Sequence, residues 1–258
     1  MELQLSGRRA VVTGASKGIG LAITKALVAE GVEVVAGARR SSAGLDEVAG
    51  ARFVAVDLAT PDGPSHLVDT ALADGPVDIL VNNVGAVAPR VHGFLSVTDD
   101  DWLATLNFSF LAAVRTIRAV LPGMVEARAG NIVTISSVNA FLPDPGVIDY
   151  CAAKAALTNF SKALSKEYGP RGIRVNTVSP GPVETDLWLA TGGVAAAVAA
   201  ASGQDPAAVA AAVAAGAATG RFTTAAEVAD LVILLASQRA GNVTGADFVI
   251  DGGLVSTT

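Results

Sequence analysis

The sequence predicts an α/β fold in which a doubly wound parallel sheet of about seven strands carries helices on both faces. Two observations predict this fold. Short β-branched runs alternate with longer segments of helical period, which is the pattern of strand–helix–strand units. The runs are almost continuously apolar, as expected for parallel strands that are buried on both faces. Because no second domain boundary or internal repeat is visible, we expect one domain over residues 1–258.

Each element is predicted from its local pattern. Strands are predicted at residues 10–13, 32–36, 52–56, 79–81, 131–135, 174–178 and 248–250. Helices are predicted at residues 19–30, 65–73, 101–121, 150–168 and 225–237. Because strand–helix–strand connections are right-handed, ligands are expected beyond the carboxyl ends of the strands, near the point where the strand order reverses.

Residues 187–220 depart from the alternation. This alanine-rich segment predicts two short helices separated by residues 202–206, with glycines on both sides. Glycines can act as hinges, so we interpret the segment as a mobile helical lid over the substrate site. A low-complexity excursion on the surface is the alternative.

Composition and charge exclude several kinds of partner. The formal net charge of −6 would repel nucleic acid and anionic membrane surfaces. The single cysteine, Cys151, excludes an intrachain disulfide and a cysteine-based zinc site. His66 and His92 lack the spacing of metal ligands, so no metal is expected. The first residues contain no apolar signal segment, and we therefore expect a cytoplasmic protein without a membrane span.

A glycine-rich turn at residues 13–20 joins the first strand to the first helix. Glycines in such a turn let the backbone approach a pyrophosphate, whose charge is favoured by the free N–H groups at the helix N-terminus. The turn therefore predicts a Rossmann-type dinucleotide site. Its expected cofactor contacts are Gly14, Ser16, Lys17, Gly18, Ile19 and Gly20.

The end of the second strand predicts which dinucleotide is bound. No acid follows this strand to accept a hydrogen bond from a ribose 2′-hydroxyl group. Arg39 and Arg40, together with Lys17, instead offer cations for a 2′-phosphate. NADP(H) is therefore expected ahead of NAD(H). Asp57 closes the third strand, and we expect it either to accept from the adenine amino group or to cap a turn.

Tyr150 and Lys154 are one helical turn apart, so both side chains can point into one cleft. A free tyrosine loses its proton near pH ~10, and a nearby lysine charge would lower that pKa. We predict a lowered pKa for Tyr150 and a proton exchange between its phenol and a substrate oxygen. The spacing alone is common on ordinary helices, so this prediction needs support from other parts of the chain.

These motifs together resemble those of the short-chain dehydrogenase/reductase family, along essentially the whole chain. The matching residues are Thr13-Gly14-x-x-x-Gly18-x-Gly20, Asp57, Asn82-Asn83-Val84-Gly85, Asn107, Ser136-Ser137, Tyr150-x-x-x-Lys154 and Pro180-Gly181-Pro182-Val183-x-Thr185. One departure is visible, because the family usually has alanine at the position of Val84.

The resemblance implies the roles of the catalytic residues. Tyr150 is the expected general acid/base. Lys154 is expected to lower the pKa of Tyr150 and to hold the nicotinamide ribose. Ser137, thirteen positions before Tyr150, is expected to orient the substrate carbonyl. Asn107 is expected to hold a water molecule in a proton relay that reaches Lys154. The reaction implied is hydride transfer between NADP(H) and a ketone, aldehyde or alcohol.

The resemblance also implies the remaining contacts. Asn83 and Gly85 are expected on the adenosine side of the cofactor, and Val183 and Thr185 beside its carboxamide. The other cofactor contacts expected are Leu58, Pro180 and Gly181, and the substrate contacts expected besides Ser137 are Asn139, Phe141 and Trp188.

Two alternative functions remain open at this point. The first is a 3-oxoacyl-carrier-protein reductase, in which Arg128 and Arg171 would dock an acidic acyl carrier protein. The bulky side chains of Phe141 and Trp188 favour instead an apolar or aromatic substrate. The second is a non-redox relative or a nucleotide-sensing module. A homotetramer, or less often a dimer, is implied by the resemblance, with interfaces along residues 150–168 and 248–250.

Overall fold

The apolar runs form one parallel sheet. The computed structural model describes residues 2–257. Its strands are β1 Arg9–Thr13, β2 Glu33–Ala38, β3 Ala51–Ala55, β4 Ile79–Asn82, β5 Gly130–Ile135, β6 Ile173–Pro180, β7 Val183–Glu184, β8 Thr223–Thr224 and β9 Asp247–Ile250. Seven of them pair in the order β3-β2-β1-β4-β5-β6-β9, all parallel. The predicted fold class is confirmed.

The predicted helices are present, with additional short ones. They are α1 Gly18–Ala29, α2 Ala43–Asp46, α3 Gly63–Leu72, α4 Asp99–Leu106, α5 Ala112–Ala127, α6 Ile148–Tyr168, α7 Asp186–Leu189, α8 Val194–Ser202, α9 Pro206–Ala215 and α10 Ala225–Ala236. Local sequence sets several of their ends. Thr98 and Thr224 begin α4 and α10 through capping boxes that use Asp101 and Glu227.

Helices cover the sheet on both faces. On one face Leu27 of α1 and Leu235 of α10 are buried in a single core cluster with alternate side chains of the strands. On the other face Leu67 of α3 and Ile117 of α5 do the same. Each such fully buried side chain contributes about 2 kcal/mol of transfer free energy. The two cores fix the direction of the strands and bring their carboxyl ends to one edge.

Residues 99–127 form a helix with an internal irregularity. A π-helical turn, Asn107–Leu111, separates α4 from α5, where the sequence predicted one continuous helix over 101–121. The whole segment is long and apolar enough to cross a membrane by length and composition alone. The core position of Ile117 and Met124 accounts for its apolar character, because both pack against the sheet. Such a helix is weak evidence for a membrane span.

The segment predicted as a lid forms two helices, as expected. Ala195 and Ala199 of α8 pack against Val209 of α9 in a small cluster of their own. The base of the segment is closed by the β7–β8 ladder, which pairs Val183 with Thr223. This clamp was not predicted, because the two strands are two residues long and lie forty positions apart in the chain.

Candidate active site

The glycine turn after β1 is shaped by contacts that only glycine permits. Gly14 and Gly18 have positive φ angles of 65° and 54°. A Cβ atom on Gly20 would lie 2.2 Å from the carbonyl oxygen of Gly14, so this position excludes any side chain. Nδ2 of Asn83 donates to the carbonyl oxygens of Thr13 and Gly14 at 3.0 and 3.1 Å. The Asn83 amide therefore holds the turn, and its expected place on the adenosine side of the cofactor stays a prediction.

The N-terminus of α1 is suited to bind a phosphate group. Its N-cap residue, Lys17, provides no side-chain hydrogen bond to the first turn, and no acidic residue lies in that turn. The helix N–H groups and the helix dipole are therefore available to an anion. Thr185 faces this turn, because a Cβ atom on Gly18 would lie 3.3 Å from its Cγ2 atom. These features fit the pyrophosphate of a dinucleotide cofactor.

The end of β2 carries the cations that the sequence predicted. Arg39 and Arg40 are exposed and form no ion pair within residues 2–257. Asp57 takes the turn role of its two predicted roles, since its Oδ1 atom accepts from the Ala59 N–H group at 3.0 Å. Leu58 is buried in the core, so only its backbone is open to a ligand.

The catalytic candidates lie at the carboxyl end of β5 and on α6. Ser137 is 7% exposed and Lys154 is 2% exposed, while Tyr150 keeps a partly exposed side chain. Nζ of Lys154 lies 5.6 Å from the centre of the Tyr150 ring. It also lies next to the loop after β4, because a Cβ atom on Gly85 would be 3.3 Å away. The fold thus brings together the residues that the sequence grouped by motif.

Burial sets the pKa of the Tyr150 phenol. It raises this pKa to about 12, although an interaction with the Ser137 side chain lowers it in part. The sequence predicted the opposite direction, and that prediction is wrong. The predicted lowering relied on the charge of Lys154, whereas desolvation of the phenolate is the largest influence on this pKa. Tyr150 is therefore protonated at neutral pH, which is the form that can donate a proton.

Lys154 is a buried cation that forms no ion pair with a carboxylate of residues 2–257. Its Nζ atom donates to the carbonyl oxygen of Ile135 at 2.8 Å. Burial lowers the pKa of Lys154 to about 8. The ammonium group therefore retains its charge at neutral pH but loses it within a pH range that an enzyme can experience.

The hydrogen bonds of Asn107 differ from those predicted. Its Nδ2 atom donates to the Ala59 carbonyl oxygen, and its Oδ1 atom accepts from Arg115 Nη1, both at 2.7 Å. Each end of the amide therefore makes one hydrogen bond within the protein and keeps one N–H group and one oxygen lone pair. Asn107 also begins the π-helical turn, and its role in a water relay stays a prediction.

The substrate side is defined by the loop after β5 and by α7. The hydroxyl group of Ser137 donates to Oδ1 of Asn139 at 3.3 Å and accepts from the Asn139 N–H group at 3.2 Å. Phe141 is 45% exposed, and Trp188 packs edge-to-face on Phe222 at 5.5 Å. Exposed apolar side chains are thus available to a ligand on both segments.

The residues at the end of β6 that were predicted to contact the cofactor expose mostly backbone atoms to the site. Pro180 and Val183 are buried, and the hydroxyl group of Thr185 donates to the Val183 carbonyl oxygen at 3.3 Å. Gly181 lies against Asp251, where a Cβ atom would come within 2.8 Å of the Asp251 Cβ atom. The side chains of Pro180 and Val183 shape this part of the site without being exposed in it.

Two charged residues near the site belong to none of the sequence motifs. Arg90 lies in the loop after β4, and Asp149 directly precedes Tyr150 on α6. An acid in the first turn of the helix that carries Tyr150 was the available signal, but its partner lies 59 positions away in the chain. No three His, Cys, Asp or Glu side chains among the described residues are placed to hold a metal ion.

Comparison with known proteins identifies the family of the chain. The model of the short chain dehydrogenase family matches residues 8–192. The chain belongs to the short-chain dehydrogenase/reductase family. This membership confirms the family predicted from the motifs, and with it an oxidoreductase acting on CH–OH or C=O groups.

The relatives of this oxidoreductase cover its whole length. It is 35% identical to the 3-oxoacyl-[acyl-carrier-protein] reductase of Salmonella typhimurium over 98% of the chain and 99% of the relative. The L-sorbose reductase of Gluconobacter frateurii, solved with NADPH and L-sorbose, has a TM-score of 0.91 at 34% identity, covering 100% of both chains. The ligand-free aldohexose dehydrogenase of Thermoplasma acidophilum has a TM-score of 0.88 at 27% identity, covering 100% and 98%.

Proposed function

We propose that this oxidoreductase uses NADP(H) to interconvert a carbonyl compound and its alcohol, with Tyr150 as the general acid/base. The observation that carries the proposal is the placement of Ser137, Tyr150 and Lys154 at the carboxyl edge of the sheet, where Lys154 lies against the loop after β4 that also contacts the glycine turn. This edge is where doubly wound sheets bind dinucleotides. The relative solved with NADPH supports the same cofactor for this chain.

Three side chains have separate roles at the reacting carbonyl group. A bound nicotinamide supplies the hydride to the carbonyl carbon, or accepts it in the reverse direction. Ser137 donates a hydrogen bond that orients the carbonyl oxygen and stabilises the charge developing on it. Tyr150, protonated at neutral pH, transfers its proton to that oxygen. The ammonium group of Lys154 stabilises the phenolate that remains and holds the ribose hydroxyls.

The cofactor site is proposed from the geometry of the turn. The backbone at Gly14, Gly18 and Ile19 would hold the pyrophosphate at the start of α1, and Arg39 and Arg40 would hold the 2′-phosphate. Asp57 retains one carboxylate oxygen without a hydrogen bond in the described residues, which supports the adenine contact as its second role. Asn107 is proposed to act through the π-helical turn.

Replacing Arg39 by alanine is expected to raise KM for NADPH about 10- to 30-fold and to change KM for NADH less than about twofold. The reason is that a charge-assisted hydrogen bond to the 2′-phosphate contributes about 1.5–2 kcal/mol. Steady-state kinetics with each cofactor measure both values. Arg118→Ala, which removes an exposed arginine on α5, is the control. An equal loss with NADPH and NADH would contradict the role of Arg39, and Arg40→Ala provides the second test.

Two substrate classes have support. The L-sorbose reductase and aldohexose dehydrogenase relatives point to a sugar carbonyl. Exposed apolar side chains at Phe141 and around Trp188 favour a bulkier apolar ketone. We expect NADPH oxidation with at least one of L-sorbose, an aryl ketone or a 3-oxoacyl thioester, at a rate at least about tenfold above that with NADH. Absorbance at 340 nm follows the reaction, and a chain inactive with all three compounds would contradict this substrate range.

A 3-oxoacyl-carrier-protein reductase is the second candidate, because the Salmonella relative is 35% identical along the full chain. Arg128 and Arg171 are adjacent, since a Cβ atom on Gly172 would lie 2.1 Å from the Arg128 carbonyl oxygen. Both precede strands and so lie at the amino edge, a strand length of about 20 Å from Tyr150. A 3-oxoacyl group accepted from its carrier but not as a free thioester would favour this candidate.

We propose a cytoplasmic homotetramer as the working assembly. The family resemblance is its main support. In addition, β9 is an edge strand of the sheet, and Val249 on it is 46% exposed, so this edge is open to a second copy. The single cysteine agrees with a reducing compartment.

A further inference from the structure

Arg90 and Asp149 form a buried ion pair beside the catalytic tyrosine. The Nε atom of Arg90 lies 3.3 and 3.2 Å from the two carboxylate oxygens of Asp149, and its Nη2 atom also donates to Oδ2. The third nitrogen, Nη1, donates to Asp101 at 2.9 Å. Thr105 completes the network with a hydrogen bond of 2.7 Å to Asp149. One guanidinium group therefore joins two carboxylates from different helices.

The Arg90–Asp149 pair is shielded from solvent, whereas the side chain of Asp101 is 36% exposed. The side chains of Arg90 and Asp149 are 15% and 2% exposed. Burial alone would raise the pKa of Asp149, but hydrogen bonds from Arg90 and Thr105 hold it below the usual value. Asp149 is therefore ionised at neutral pH. An exposed ion pair contributes little to positioning, whereas a buried pair with several hydrogen bonds fixes both of its partners.

The network holds the end of α6 that carries Tyr150. The N-cap residue of this helix, Val147, provides no side-chain hydrogen bond to the first turn. Arg90 holds this end of the helix from outside, because its backbone N–H group donates to the Gly146 carbonyl oxygen at 2.7 Å while its side chain holds Asp149. Asp149 directly precedes Tyr150, so a shift of this turn moves the phenol.

The same arginine ties α6 to the other wall of the site. The loop that contains Arg90 also contains Gly85, which lies against Nζ of Lys154. Asp101 belongs to α4, which leads into the π-helical turn at Asn107. The loop after β4, α4 and α6 are thus joined at one side chain.

We propose that Arg90 and Asp149 are positioning residues that hold the phenol of Tyr150 in line with Ser137 for proton transfer. The inference rests on the proposed function, in which Tyr150 donates the proton. Neither residue touches the reacting atoms. Displacing a catalytic group by 1 Å can cost about 100-fold in rate, so loosening this turn lowers kcat more than cofactor affinity.

The test compares Asp149→Asn and Arg90→Lys with Asp78→Asn. Asp78 pairs with Arg8 at 2.8 Å at the amino edge of the sheet, so its variant removes the same kind of charge far from Tyr150. We expect Asp149→Asn to lower kcat at least about tenfold with KM for NADPH within about twofold of wild type. Arg90→Lys keeps the charge but loses the bidentate geometry. Its kcat is expected to lie between that of the wild type and that of Asp149→Asn. Asp78→Asn is expected to leave kcat unchanged.

A titration gives a readout that does not depend on turnover. The chain contains two tyrosines, so a Tyr168→Phe background leaves Tyr150 as the only phenol. Its ionisation, followed by ultraviolet absorbance, is expected above pH 11 in the wild-type site, where the pKa is about 12. In Asp149→Asn the pKa is expected to fall toward the ordinary value of about 10, because the loosened turn admits water.

The outcomes separate the two proposals. A lower kcat together with a lower Tyr150 pKa in Asp149→Asn, absent in Asp78→Asn, supports the positioning role. An unchanged Tyr150 pKa, or a loss of kcat that only follows the loss of folded protein in all three variants, overturns it. If the wild-type protein shows no reductase activity but the Tyr150 pKa still falls in Asp149→Asn, the pair positions the phenol and only the proposed function is overturned.

Discussion

Replacing Tyr150 by phenylalanine is expected to lower kcat for carbonyl reduction about 1,000-fold and to change the Kd of NADPH less than about threefold. A general acid contributes about 100- to 10,000-fold to a rate, and the phenol of Tyr150 interacts with the side chain of Ser137. The substitution removes one oxygen atom and keeps the ring, so packing around α6 is preserved. Single-turnover kinetics and fluorescence titration with NADPH measure the two quantities.

The control is the same substitution at Tyr168, the other tyrosine of the chain, which lies at the far end of the same helix. Tyr168→Phe is expected to retain the wild-type kcat. If both variants reduce the substrate at the same rate, Tyr150 is not the acid. The pH dependence gives a second check, because a pKa of about 12 keeps the phenol protonated through neutral pH. Alcohol oxidation needs the phenolate and is therefore expected to accelerate as the pH rises.

The features that the sequence predicted well are set by local pattern. The strands follow from apolar runs, and the turn at Gly14, Gly18 and Gly20 follows from positions where a side chain would clash or strain the backbone. The i, i+4 spacing of Tyr150 and Lys154 is also local, and it placed both residues on one helix. These predictions needed no knowledge of contacts between distant segments.

The features that the sequence did not predict depend on such contacts. Spacing along α6 gives no information about how deeply the Tyr150 phenol is buried, and burial decides the direction of its pKa. The partners of Asn107 are Ala59, 48 positions earlier, and Arg115, which the π-helical turn brings within reach. The pairing of Arg90 with Asp149 spans 59 positions. A single sequence carries no signal for any of these pairings.

Replacing Lys154 by methionine is expected to stabilise the fold while removing activity. Folding lowers the pKa of Lys154 from 10.5 to about 8, which corresponds to about 3 kcal/mol of stability lost at neutral pH. Methionine fills a similar volume without a charge. After about 1 kcal/mol is allowed for the lost hydrogen bond to Ile135, the free energy of unfolding at pH 7 is expected to rise by about 2 kcal/mol.

The difference in the free energy of unfolding between Lys154→Met and the wild type depends on pH, and this dependence identifies its cause. Below pH 8 both the folded and the unfolded chain carry the protonated lysine, so the wild-type protein bears the full penalty. Between pH 8 and 10.5 the unfolded chain binds more protons at this side chain, so this residue makes the wild-type free energy of unfolding rise with pH. The advantage of the variant is therefore expected to shrink between pH 7 and pH 10. Urea unfolding at the two pH values measures it.

Lys162→Met is a matched control for Lys154→Met. Lys162 lies on the same helix and also donates to a backbone carbonyl oxygen, that of Gly245 at 2.6 Å, but its side chain is exposed. Its loss is expected to leave kcat unchanged and to give no gain in stability. A Lys154→Met variant that is less stable than wild type at pH 7, or that retains kcat, would contradict the argument. A buried lysine that destabilises the fold is the result expected if the proposed proton transfer at Tyr150 requires its charge.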